Sequence, residues 1–217
     1  MNISYLNTSL FSFGLKNLGG FNLNSKEKNL YGVESIILVG PQEPVFWEKF
    51  KDSKEYRLGI EDPLDSWSKR VIGLISTEFK ARAFFPFEGP PFMPFYSWAI
   101  KTGECFKSPV NLLVHRESGL FVSFRGAIGF EEKIDINKSK KASSPCLACH
   151  KPCATSCTVS ALTVDGYDVP KCISYISQSE QKDCRSGCLV RRSCPVGKGL
   201  RPIEQSKFHM SKFADLS

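Results

Sequence analysis

The sequence has few histidines, three in 217 residues, which is too few for a His-rich metal site. No uninterrupted apolar run approaches the roughly 18 residues of a transmembrane helix, so no membrane span is expected. Residues 1–21 lack a basic start followed by an apolar block, so a secretory signal is not expected and a cytoplasmic location is. No Gly-x-Gly-x-x-Gly follows a strand, and there is no Walker A loop, zincin pair or Ser elbow. Dinucleotide, P-loop and common hydrolytic chemistries therefore have no footing. Internal repeats and low-complexity tracts are also absent. What remains is a globular composition, 41% hydrophobic and 24% charged, long enough for one full domain or two small ones.

Nine cysteines are present, unevenly spread. The first 132 residues hold 15 Lys/Arg against 15 Asp/Glu, all three Trp, 15 of the 17 Phe and only one cysteine, Cys105. The remaining residues carry the whole formal charge of +7 and the other eight cysteines, between Cys146 and Cys194. The first part has the aromatics for a core of its own. The second has few large apolar residues, and a segment so short needs another organiser. The polar stretch Lys138–Pro145 reads as a linker or exposed loop.

Local patterns give an α+β fold class, with a helix-covered mixed sheet over residues 1–137 and a cysteine-organised module over 138–217. Ile36–Val39 is a strand, and Pro44 opens a helix through Lys51. Asp65 is a candidate N-cap for a helix over Ser66–Phe79, with Trp67, Val71, Leu74, Ile75 and Phe79 on one face. Ala81–Phe87 reads as a strand, and Pro94–Thr102 as a helix stopped by Gly103. Val110–His115 and Leu120–Arg125 read as a hairpin across Arg116–Gly119. Further on, a hairpin about Asp165-Gly166 precedes a helix opened by Pro170.

The late cysteines run Cys146-x2-Cys149-x3-Cys153-x3-Cys157, then Cys172, then Cys184-x3-Cys188-x5-Cys194-Pro195. Disulfides would suit a small secreted domain, but no signal is expected, and close spacing favours holding a common ion. Structural zinc would take two sets of four, usually as short-spaced pairs. The first run is more crowded than that. A cubane iron–sulfur cluster needs one thiolate per iron, three from a tight loop and a fourth from afar. Two-cluster ferredoxins do this with C-x2-C-x2-C-x3-C-Pro, whose fourth cysteine serves the other cluster. Here one extra residue separates Cys149 from Cys153, and the Cys-Pro ending falls at Cys194-Pro195.

Ser144–Cys149 through Cys153 and Cys157, followed by Val159–Leu162, resembles a dicluster 4Fe-4S ferredoxin domain. Val169-Pro170-Lys171-Cys172-Ile173-Ser174-Tyr175-Ile176 is similar to the R-C-I-S-Y-L segment of the epoxyqueuosine reductases. Cys184, Cys188 and Cys194-Pro195 resemble their closing cysteines with longer gaps. The resemblance covers about Ser143–Gly199. The first part looks too short for the corrinoid-binding domain of those reductases and offers no match to their catalytic acid, so no catalytic residue is assigned. Across its length the chain also resembles small ferredoxin-like bacterial proteins sharing Phe85–Pro91 and Pro109–His115.

The resemblance implies two [4Fe-4S] clusters. Cys146, Cys149, Cys153 and Cys194 would hold one, and Cys157, Cys172, Cys184 and Cys188 the other. Cys105 is left over as a small buried hydrophobe. A cubane with core +2 and four thiolates carries about −2, so two would reduce +7 to about +3. Lys151, Lys171, Arg185, Arg191 and Arg192, close to ligands in sequence, would balance that charge or simply be solvated. The reduced excess weakens a nucleic-acid reading.

The expected function is electron transfer with a redox partner protein, a carrier being favoured over an oxidoreductase. One alternative is a reductase whose first part binds a corrinoid, flavin or other acceptor fed by the clusters. Another is a zinc-organised binding module. His150 is read as lying beside the site without ligating. His115 is read as structural, His209 as part of a C-terminal tail packed back on the body, and Phe85–Phe95 as a rigid loop packed on its own core.

Overall fold

The computed structural model describes residues 2–136, 143–178 and 182–215. Most of the expected linker, Lys138–Ala142, lies outside them. The chain divides into two compact units. Unit one comprises Met1–Glu104 and Ser123–Ala142, and unit two Cys105–Val122 and Ser143–Ser217. Where a single cut at 137/138 was expected, residues 105–122 group with the cysteine-rich tail.

In chain order the elements are α1 (Ile3–Ser12), β1 (Leu15–Asn22), α2 (Ser25–Tyr31), β2 (Ser35–Pro41), α3 (Val45–Lys51), α4 (Lys54–Arg57), α5 (Pro63–Glu78), β3 (Arg82–Phe84), α6 (Phe95–Thr102), β4 (Cys105–Lys107), β5 (Leu113–His115), β6 (Gly126–Phe130), α7 (Val169–Ser177), α8 (Lys182–Arg185), α9 (Leu189–Arg192) and α10 (Ile203–Asp215). A 3-10 turn covers Pro152–Ala154.

Helices and antiparallel sheets together give the α+β class. In unit one the strand order is β1-β2-β6-β3, and every pairing is antiparallel. The expectation of a mixed sheet is therefore corrected. The direction in which β6 returns is settled by long-range packing, which local pattern does not encode. The inner strands β2 and β6 are buried at every position.

Helix α5 begins at Pro63, earlier than expected, with proline in its first turn. Asp65 therefore lies inside the first turn, not at the cap, and its Oδ1 faces Arg125 Nη1 at 3.5 Å. The buried stripe is Leu64, Trp67, Val71, Ile72 and Ile75, while Leu74 is 56% exposed. Phe46 and Phe50 meet Trp67 edge-on at 5.5 and 5.9 Å, an arrangement favoured by the ring quadrupoles.

In unit two the expected hairpin is also corrected. β5 pairs with β4, Cys105 opposite His115, and only an isolated bridge joins His115 to Gly119. The tight turn is fixed by His115 Nδ1, which accepts the Glu117 and Ser118 N–H groups at 3.1 and 3.2 Å. Residues beyond Val122 then enter unit one. The Leu162–Tyr167 bridge spans the expected Asp165-Gly166 turn. Helix α7 follows, with the Asp168 side chain accepting from the Lys171 N–H.

The core of unit two is small. Val110, Val114, Leu120, Leu162 and Val190 are buried together with Cys153 and Cys194, and Cys146, Cys157 and Cys188 pack against them. Thiols thus take core positions that large apolar side chains fill in unit one.

Candidate metal centre

None of the nine cysteines is in a disulfide. Cys105 is buried in β4 and lines neither cavity described below. It belongs to unit two, not to the cysteine-poor part as its place in the sequence implied. The other eight fall into two groups of four.

Cys146, Cys149, Cys153 and Cys194 line the first cavity, a small one of ≈ 20 Å³. Its remaining wall includes Pro109, Val114 and Leu120, carried in from residues 105–122. The loop between Cys149 and Cys153 contains the one residue by which it exceeds the two-cluster spacing. Lys151 takes a left-handed backbone there, φ 56°, and its N–H donates to Cys149 Sγ at 3.3 Å. Pro152 then starts the 3-10 turn that carries the buried Cys153. Gly119, at φ +57°, packs against the Cys194 loop. A Cβ added there would collide with the Val196 carbonyl oxygen and approach Cys194 Sγ to 3.1 Å.

Cys157, Cys172, Cys184 and Cys188 line the second cavity, a small one of ≈ 30 Å³, with Leu162, Tyr167 and Ile176 among its walls. α7 contributes Cys172, α8 contributes Cys184, and Cys188 stands at the N-terminal cap of α9. The Ala161 N–H donates to Cys157 Sγ at 3.2 Å. The Leu189 N–H lies near Cys184 and the Tyr167 hydroxyl near Cys172, each close enough to favour the thiolate.

Burial pushes the thiols of Cys146, Cys153, Cys172 and Cys184 up from the ordinary cysteine value, and neighbouring thiols add to the rise. Hydrogen bonds from Ser144 to Cys146, from Tyr167 to Cys172 and from Leu189 to Cys184 pull the other way. Four thiolates around one small cavity repel each other unless positive charge sits between them. The donor set therefore fits a cationic centre with soft ligand preference. Among the described residues no three His, Cys, Asp or Glu side chains are arranged to hold a metal ion.

The two groups are the same two sets of four that the resemblance implies. They are neighbours in this way; that they are ligands is a proposal. His150 is exposed and lines neither cavity. Of the basic residues near the cysteines, Lys151 and Lys171 are exposed. Arg185 binds the Ile176 and Ser177 carbonyls at the end of α7, at 2.7 and 2.9 Å. Arg191 donates to the Leu120 carbonyl, and burial lowers its pKa against the pull of Cys188 and Tyr167.

Three contributions were signalled weakly or not at all in the sequence. The wall from residues 105–122 is distant in the chain. Arg191 was singled out only for its place beside a cysteine, and its bond to the Leu120 carbonyl had no signal. The only cue to Tyr167 is its position in the predicted turn region. No family model, curated protein or solved structure matches the chain.

Proposed function

We propose that unit two is a ferredoxin-like module holding two [4Fe-4S] clusters and that the protein transfers electrons to or from a redox partner protein. The first cavity's thiols are Cys146, Cys149, Cys153 and Cys194. The second's are Cys157, Cys172, Cys184 and Cys188. The observation that carries this reading is that two separate small cavities are each lined by four cysteine thiols, the Met210 thioether also lying on the second. The interleaving supports it, since Cys194 at the far end of the run closes the first ring. Bound clusters would supply one-electron chemistry, each core passing between +2 and +1.

The chain's own part is to bind, insulate and tune. The N–H groups of Lys151, Ala161 and Leu189 and the Tyr167 hydroxyl stabilise negative charge on sulfur, and more so in the reduced state. Val114, Leu120 and Leu162 keep water from the sulfurs. Arg191 places a cation near the second ring. No side chain has to move a proton or break a bond.

The test is purification without oxygen, with iron and acid-labile sulfide counted and electron paramagnetic resonance recorded after reduction. About eight iron and eight sulfide per chain, and broad absorption at roughly 400 nm, are expected. A colourless protein with two zinc ions and no sulfide overturns the reading in favour of a zinc-organised module.

A further inference from the structure

Unit two contains a third cavity that neither thiol ring uses. It is an open cleft of ≈ 570 Å³, within the range of small-molecule sites. Arg192, Lys198 and Arg201 line it, and among the described residues no acidic side chain does. Ser156, Ser186, Ser193 and Ser206 add hydroxyls to the wall. Phe121, Leu189 and Ile203 supply an apolar surface. Arg201 is held in place, with Nη2 donating to the Phe121 carbonyl at 2.8 Å and its guanidinium 5.1 Å from the Phe121 ring centre.

We propose that this cleft binds a small organic phosphate, its phosphate on Arg192, Lys198 and Arg201 and its body against Phe121, Leu189 and Ile203. Three cations lining one cleft, with no carboxylate among the lining residues, make a site that favours an anion with several acceptor oxygens. The apolar wall calls for more than inorganic phosphate. The size and concavity favour a small molecule over a polymer backbone, which a flat basic stripe would serve better.

The cleft borders the thiol-bearing segments. Leu189 lines both it and the second cavity. Ser156 precedes Cys157, Ser186 lies between Cys184 and Cys188, and Ser193 precedes Cys194. A molecule bound there would lie next to the thiol rings. The inference does not rest on the clusters, because the lining residues and their charges stand whatever the thiols hold.

The test uses the full chain, purified without oxygen, in equilibrium dialysis against adenosine monophosphate, adenosine and inorganic phosphate, with a single-stranded oligonucleotide as competitor. The monophosphate binds, adenosine does not, and inorganic phosphate competes. Lys198→Gln and Arg192→Gln each weaken binding about tenfold, the loss of one charge-assisted contact. Lys212→Gln, on α10 and away from the cleft, leaves it unchanged. All three variants keep the iron content of the parent protein, so failure here is separable from failure of the cluster reading. The proposal is overturned if neither phosphate binds up to millimolar concentration, if adenosine binds as well as its phosphate, or if Lys198→Gln has no effect. It is also overturned if affinity rises with oligonucleotide length, which would make the cleft part of a nucleic-acid surface.

Discussion

At the scale of single residues, the two thiol rings give a sharp contrast. Cys172 belongs to the second ring, whereas Cys105 lies in β4 and lines neither. Cys172→Ala should lower iron to about half, losing one cluster and sparing the other. Cys105→Ala should leave iron unchanged, the measurement being metal per chain on protein made without oxygen. Gly119 is a second such position. It has a left-handed backbone, and an added Cβ would meet Val196 and Cys194. Gly119→Ala should cost about 2–4 kcal/mol through backbone strain and overpacking. Thermal unfolding and iron content should fall together, since the strain falls on the loop carrying Cys194.

At the scale of elements, α4 and α5 are joined by an ion pair. Glu55, 4% exposed, accepts from Arg70 Nε and Nη2 at 2.6 and 2.9 Å. The Arg70 hydrogen bonds hold its carboxyl below the ordinary glutamate range. A carboxyl depressed by folding stabilises the native state above its unfolded pKa, about 4.3. That contribution is lost as pH falls through the lower, folded value. Glu55→Gln should therefore cost roughly 1–2 kcal/mol at neutral pH. The difference from the parent should shrink below about pH 4, as urea titrations across pH would show. Arg70 is about a third exposed, which keeps this effect moderate.

At the scale of the whole molecule, the two units are stabilised by different means. All three tryptophans, Trp47, Trp67 and Trp98, lie in unit one, in its buried aromatic core. Unit two relies on a small core with cysteines built into it. If the thiol rings hold the proposed clusters, stripping their metal with a chelator should unfold unit two, because binding energy at such a site is folding energy. Proteolysis should then cut within residues 143–215 while the tryptophan emission maximum stays at its native position. A simultaneous red shift of that emission would contradict independent cores.

The sequence by itself determined the elements whose signals are local. Ile36–Val39 formed a strand because four consecutive apolar β-formers suit a doubly covered position. Val45–Lys51 and Phe95–Thr102 formed helices where proline and Gly103 punctuate them, and Val169–Ser177 followed Asp168 and Pro170. The cysteine run itself was legible, but its division into two sets of four came from the resemblance, since Cys157 and Cys194 each join the set of the other run.

Only the tertiary structure decided the rest. It set the direction of β6, the pairing of β5 with β4 rather than with residues 120–125, and the placing of residues 105–122 beside the first thiol ring. It also gathered Arg192, Lys198 and Arg201 around one cleft. The return of β6 to β2 and the placing of residues 105–122 beside the first thiol ring depend on contacts between segments far apart in the chain. Hydrophobic periodicity says which side of a segment is buried, but not which distant segment covers it.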